Sequence, residues 1–475
     1  MSKIDSLIDS SIDDIIADLQ LLIRQPSVSA VKQGLVECAN LVASIMRKAD
    51  ISTEIMHFYN KREGIGGIED TNVPPLIYGE VKSKANPNGR TILFYNHYDV
   101  QPVDPIDLWD AHPFSGKVED NYIFGRGAAD DKGELITRIK AVEYYLKKIG
   151  DVPCNIKFLI EGEEEIGSLH LKEYLNFYKR KFECDAVIWE SGIIDIEERP
   201  IISLGQKGIL SVELVAKGPS MDAHSSLAVL IENPAWHLIR ALNTMRDKNG
   251  RILIKDWYKE VRDFNSEELS IIENEPFDEM AIKKEHGIES FINNITGFDA
   301  KKAFEGAPTC NICGLVSGYT GEGAKTVLPS KAIAKLDFRL VPDMIPEIQF
   351  RRLKEHIKEL NRGDDKDDDI NNNSDNNIEI KFLDGEPAAR TEITHPFVKV
   401  VKEAANKIYD ESIINVSSAG TGPMYYFHDL FKVPCISVGG SDIFNRVHSP
   451  NECMRIDRLA KTAKWIASIL ERANY

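Results

Sequence analysis

Three short, predominantly apolar runs constrain this chain most: TILFYN at 91–96, NIKFLI at 155–160 and DAVIWE at 185–190, with amphipathic segments between them. Such runs suit strands buried on both faces, and sheets covered by helices on both faces are mostly parallel. Leu135, Ile136, Ile139, Val142 and Leu146 share one face of a helix expected at 130–149, and a further helix is expected near 169–178. The alternation predicts an α/β layer, a largely parallel sheet flanked by helices. Upstream, apolar residues at helical spacing predict one helix over 6–24, ended by Gln25-Pro26 because the residue before proline avoids the helical region. A second helix is expected at 36–48.

The periodicity changes after Gln206. GILSVELVAKG at 208–218 and KAIAKLDFRLV at 331–341 alternate apolar and polar residues, as half-exposed strands do. With helices expected at 233–245 and 350–360 and a strand at 378–382, they predict an inserted α+β domain with an antiparallel sheet. The α/β character then returns, with a helix at 397–409, a buried strand at 433–438 and a closing helix at 456–473. The 475 residues therefore read as one α/β domain in two parts, 1–207 and 386–475, interrupted by an insert at 208–385. The acidic stretch GDDKDDDINNNSDNN at 363–377 reads as a solvated loop.

A formal net charge of −17 disfavours nucleic acid as a partner. No apolar stretch approaches the roughly 20 residues that span a bilayer, so no membrane association is expected. The first residues lack the pattern of a secretory signal. Seven scattered cysteines do not form a disulfide framework, which points to a cytoplasmic protein with reduced thiols.

The chemistry-bearing residues gather at the ends of the apolar runs. His97 and Asp99 sit two apart, so they can share one face, with the carboxylate orienting the imidazole. Asp130 and Asp131 follow the glycine-rich GRGAA at 125–129, where helix capping is the ordinary reading. Glu161, Glu163, Glu164 and Glu165 concentrate mutually repelling charge that a divalent cation would offset. Glu190 ends the DAVIWE run, and His448 follows Gly439-Gly440-Ser441. The ends of parallel strands converge on one rim of the sheet. His97, Asp130, Glu164 or Glu165, and Glu190 would meet there as nitrogen and oxygen ligands suited to zinc, manganese or cobalt. Two ions sharing a carboxylate is the expected arrangement. Asp195 lies past its strand and is discounted as a ligand. Cys310-x-x-Cys313 has no second pair nearby and reads as two free thiols, GYTGEGAKT at 318–326 lacks the Gly-Lys of a phosphate loop, and His237 reads as a packed histidine.

Taken in order, HYDV (97–100), GRGAADDKG (125–133), EGEEEIGS (161–168), DAHSS (222–226), GAKTVLP (323–329), DFRLVP (337–342) and NRVHSPNE (445–452) resemble the M20 metallopeptidase family, within it the carnosine dipeptidase-like branch. The resemblance implies a catalytic domain with an inserted lid and dimerisation domain, and two divalent ions per chain, zinc first. It implies His97 and Glu190 on one ion, Glu165 and His448 on the other, and Asp130 bridging them. Asp99 would orient His97, and Glu164 would be the general base. His224, Arg339 and Thr326 would bind substrate from the lid, His224 at the scissile carbonyl and Arg339 at the substrate carboxylate. A homodimer through the lid is implied, with His224 completing the partner's site. The substrate would be a dipeptide or short peptide. Glu190 stands where dipeptidase-like members usually have aspartate and looks more like carboxypeptidases and acyl-amino-acid deacylases, so an N-acyl amino acid deacylase is the alternative. A non-catalytic binding protein on this fold is the remaining one, and no lost base or ligand speaks for it.

Overall fold

The computed structural model describes residues 3–60, 68–361 and 378–474. The acidic stretch at 363–377 lies outside them. The chain divides into two compact units, 1–205 with 390–416 and 422–475, and 206–389 with 417–421.

The first unit is built on a six-stranded mixed sheet in the order Ser52–Met56, Leu76–Val81, Asn155–Glu161, Thr91–His97, Ala186–Trp189, Cys435–Ser437. The first two pairings are antiparallel and the other three parallel. The three expected apolar runs are thus adjacent parallel strands. Ile92, Phe94, Ile156, Phe158, Ile160, Ala186 and Ile188 share one core with the helices Ile12–Arg24, Leu35–Lys48, Lys132–Ile149, Pro396–Ile408 and Ile456–Arg472. Each large side chain removed from water in this way contributes on the order of 1.5–3 kcal/mol. The single helix expected over 6–24 is two, Lys3–Ser10 and Ile12–Arg24. The break falls at Ser11, whose backbone leaves the helical region (φ −117°, ψ 21°), while Ile4, Ile8, Ile15 and Leu19 stay on the core side.

The second unit carries a four-stranded sheet in the order Asn311–Ser317, Lys331–Leu340, Gly208–Lys217, Ile378–Glu386, antiparallel throughout. Leu210, Val212, Leu214, Ala332, Ala334, Leu336 and Phe338 point to one face, where Pro234–Met245 and Pro346–Asn361 pack, as the alternation predicts. The strand Asn311–Ser317 was not expected. It is an edge strand, and Ile312, Leu315 and Val316 are exposed on it.

Candidate active site

The site lies in the first unit, at the carboxyl ends of the parallel strands. His97 is the last residue of Thr91–His97, and its ring is wholly buried. Its Nδ1 lies 3.0 Å from the Asp99 carbonyl and 3.4 Å from Asp99 Oδ1. That contact leaves Nε2 facing Asp130 Oδ1 at 3.0 Å and Glu190 Oε2 at 4.0 Å. The closer contact of the imidazole is thus with the Asp99 carbonyl, and the Asp99 carboxylate is turned mainly to the glutamate turn. Its two oxygens accept the backbone N–H groups of Glu164 and Glu165 at 3.2 and 3.1 Å, tying the glutamate turn to the strand end.

Asp130 is the centre of the cluster. While Oδ1 meets His97, Oδ2 lies 3.0 Å from His448 Nε2, which is also 3.1 Å from Glu165 Oε2. The reach of Asp130 depends on the turn before it. Gly127 has φ +84°, and a Cβ there would come within 2.6 Å of Val100 Cγ1, so only glycine lets the loop pass this close. The helix beyond starts at Lys132, and Asp131 makes no side-chain cap. Its Oδ2 instead accepts from Asn96 Nδ2 at 2.7 Å and from the His97 backbone N–H at 3.0 Å, so it braces the strand end from below.

The four clustered glutamates part company. Glu161 accepts from the Tyr95 hydroxyl at 2.6 Å and from Ser168 Oγ at 2.9 Å, and Glu163 meets His170 Nδ1 at 2.8 Å. Glu164 and Glu165 sit on a short 3-10 turn, where Gln101 Nε2 donates to Glu165 Oε2 at 2.8 Å. Glu190 follows its strand and is buried.

The field is that of crowded, desolvated carboxylates. Burial lifts Glu164 and Glu190 well above the usual carboxylate range, and mutual repulsion adds to it. Burial likewise takes Asp131 and Glu161 up to about 8. Hydrogen bonds to Asp130 and Glu165 raise His448 to about 10. For His97 burial works downward, but hydrogen bonds to Asp130 and Asp99 outweigh it and hold the ring well above its ordinary value.

The three residues expected to bind substrate lie in the second unit. His224 pairs in a two-residue ladder with Val327, next to Thr326, whose carbonyl accepts from Ser225 N–H at 3.2 Å. The exposed His224 ring contacts Ser226 Oγ through Nδ1 at 2.9 Å. Arg339, near the end of Lys331–Leu340, donates to Thr421 Oγ1 at 2.7 Å. The discounted residues have ordinary explanations. Asp195 pairs with Arg199 at 2.8 Å, and Cys310 and Cys313 are free thiols.

The sequence profile of Peptidase family M20/M25/M40 matches residues 93–472. The chain belongs to that family. Among M20 relatives, the Cys-Gly metallodipeptidase dug1 of Schizosaccharomyces pombe is 29% identical over 480 residues, 98% of this chain and 96% of its own length. An M20 family metallo-carboxypeptidase from Sulfolobus solfataricus superposes with a TM-score of 0.84 at 35% identity, covering 97% of this chain and 99% of that one. Human carnosine dipeptidase 1 shares the fold, with a TM-score of 0.77 at 24% identity over 99% of both chains. This M20 chain is therefore a metallopeptidase, a hydrolase of peptide bonds. Among its described residues no helix is long and apolar enough to cross a membrane.

The residues present fit metal ions. His97, Asp131 and Glu190 form one group of potential ligands, and Asp130, Glu165 and His448 another. The buried Glu190 Oε2 and Asp131 Oδ1 have no hydrogen-bond partner, a costly state for carboxylate oxygens unless a cation meets them. Asp131 already spends Oδ2 on Asn96 and on the His97 backbone, whereas both Asp130 oxygens face imidazoles. Sequence reasoning gave Asp131 only the capping reading and passed over Gln101, because their partners are distant in the chain.

Proposed function

We propose that this M20 peptidase is a two-ion hydrolase of dipeptides and short peptides. The observation that carries the reading is Asp130, one carboxylate contacting the imidazoles of both ligand groups. His97 and Glu190 would hold one ion, Glu165 and His448 the other, and Asp130 both. Zinc suits this donor set, and manganese or cobalt would also be accepted. When bound, the ions would polarise the amide carbonyl and acidify water at the site. Glu164 would take the proton of the attacking water and deliver it to the departing amine nitrogen. Burial raises the Glu164 carboxyl above the usual carboxylate range, the direction that favours its holding a proton between the two transfers. Asp99 would keep His97 and the glutamate turn in register. His224 would donate to the carbonyl oxygen as charge develops there, Arg339 would receive the substrate carboxylate, and Thr326 would contribute beside His224.

Relatives matching nearly the whole chain are a Cys-Gly dipeptidase and a carboxypeptidase, which favours peptides over N-acyl amino acids. A panel of dipeptides, tripeptides, and N-acetyl and N-succinyl amino acids, assayed with zinc, manganese and cobalt, tests this. Peptides are expected to be cleaved with kcat/KM at least about tenfold above the acyl amino acids, a margin of roughly 1.4 kcal/mol in transition-state binding. The reverse order would assign the chain to the deacylases. The seven free cysteines suit a cytoplasmic setting.

We further propose a homodimer through the second unit, with His224 serving the partner's site. Its support is the edge strand Asn311–Ser317, whose outer edge has no neighbouring strand among the described residues, and the exposed Met221, Val229 and Leu230 around the His224 loop. His224→Ala and Glu164→Gln chains should each be nearly inactive. Co-refolded heterodimers should regain one working site, about half the wild-type activity per mixed dimer. Mixed dimers that form and stay inactive would rule the shared site out.

A further inference from the structure

Glu452 lies outside both ligand groups, yet its carboxylate holds the loop that ends in Asp130. Oε1 accepts the backbone N–H of Ala129 at 3.0 Å and of Asp130 at 3.1 Å. Oε2 accepts the backbone N–H of Gly127 at 3.0 Å and the Arg126 guanidinium at 2.8 Å. The side chain is 1% exposed. Amide groups converging from a glycine turn make a nest of the kind that usually receives an external anion. Here the chain fills its own nest.

The backbone fixes the same carboxylate from the other side. Cys453–Arg455 pairs antiparallel with Tyr122–Phe124, and Gly125 N–H donates to the Glu452 carbonyl at 2.9 Å. Cys453 N–H closes onto the Asn445 carbonyl at 3.0 Å and so shuts the loop that carries His448. Arg126, held by the Pro102 carbonyl at 3.0 Å and lying over the Trp109 ring, supplies the countercharge. A buried charge is expensive unless it is paired and fully hydrogen-bonded, and a turn with only a structural duty has cheaper solutions. This one stands where the loops of Asp130 and His448 meet.

We propose that Glu452 is a positioning residue that locks the Asp130 loop to the His448 loop and so presets the shared carboxylate between the two ligand groups. The proposal rests on the reading of Asp130 as the ligand common to both ions. Glu452→Gln keeps the size but turns an amide NH2 toward N–H donors, so the loop must relax. Calorimetric titration of the metal-free full chain with zinc, and separately with manganese, is expected to show affinity reduced by about 10–100-fold, the usual cost of losing a residue that orients a ligand. Saturating metal should then restore kcat to within about tenfold of wild type. A merely structural Glu452 would lower the melting temperature of the metal-free chain and leave the affinity alone. If the glutamine variant does not fold, Glu452→Asp takes its place. It keeps the charge, falls one methylene short of the nest, and should lose affinity in the same direction. Metal affinity within twofold of wild type in either folded variant overturns the proposal. Asp130→Asn separates the two readings. If it loses both ions while Glu452→Gln loses none, only the positioning role fails, and if it still binds two ions normally, the shared-ligand reading fails with it.

Discussion

Glu164→Gln should lower kcat by roughly 10²–10⁴-fold, the usual contribution of a positioned general base, while the protein still binds two ions. The two expectations are separable because of how Glu164 is held. Its backbone N–H, not its side chain, is tied to Asp99 Oδ1 at 3.2 Å, so the turn and the neighbouring Glu165 should survive the substitution. The carboxyl group belongs to neither ligand group. The amide is of similar size but cannot accept a proton at neutral pH. KM should change little, since no binding group is removed, so the loss should appear in kcat. Steady-state kinetics at saturating metal, with metal analysis of the same preparation, decides the matter. A wild-type rate would remove Glu164 from the base role, and a preparation holding one ion would move it into the ligand set.

Much of this architecture could be read from local patterns, because each important strand ends abruptly in polar residues. TILFYN runs into His97, NIKFLI into Glu161, and DAVIWE closes on Glu190. Parallel strands deliver such ends to one rim of the sheet, and that is where the structure brings His97, Asp130, Glu165, Glu190 and His448 together. What escaped is non-local or weakly patterned. Asn311–Ser317 is exposed on both faces and so has no apolar alternation to betray it. Ser52–Met56 and Leu76–Val81 lack the long apolar run of their neighbours. The break at Ser11 leaves the helical period intact on either side, so periodicity alone could not place it. Asp131 looks like a helix cap in sequence, and its true partners, Asn96 and the His97 backbone, lie 35 and 34 residues away in another element. Glu452 is the extreme case, 322 residues from the Asp130 N–H it accepts. No local pattern can announce a partner at that distance, though the NRVHSPNE string marked its neighbourhood.

Removing the ions should abolish turnover and make stability strongly dependent on pH. In the metal-free chain, burial holds the acids Asp131 and Glu161 at about 8, and Glu164 and Glu190 also lie well above the ordinary range. An acid whose folded value is raised binds more protons folded than unfolded. It therefore costs stability as pH rises from its unfolded value, near 4, through its folded one. His448, raised to about 10 by Asp130 and Glu165, acts in the same sense. Its stabilising contribution is complete below about 6.5 and is lost as pH rises toward 10. His97, also raised, adds to it. Asp130 is lowered instead, because hydrogen bonds to His448 and His97 overcome its burial, so its contribution is present above its unfolded value near 4 and is lost as pH falls below it. The metal-free chain should thus melt at progressively lower temperature from about pH 5 to pH 9. Bound cations take the place of those protons and bind more tightly as the ligands deprotonate, so the loaded chain should show a flatter profile. At a thousandfold excess of metal over its Kd, one site alone adds about 4 kcal/mol, which corresponds to a shift on the order of 10 °C for a unit of this size. Calorimetric melting of chelated and reconstituted protein across that range, with metal counted at each point, measures both effects. A metal-free profile that rises with pH, or full activity in the presence of chelator with no metal bound, would contradict the two-ion site.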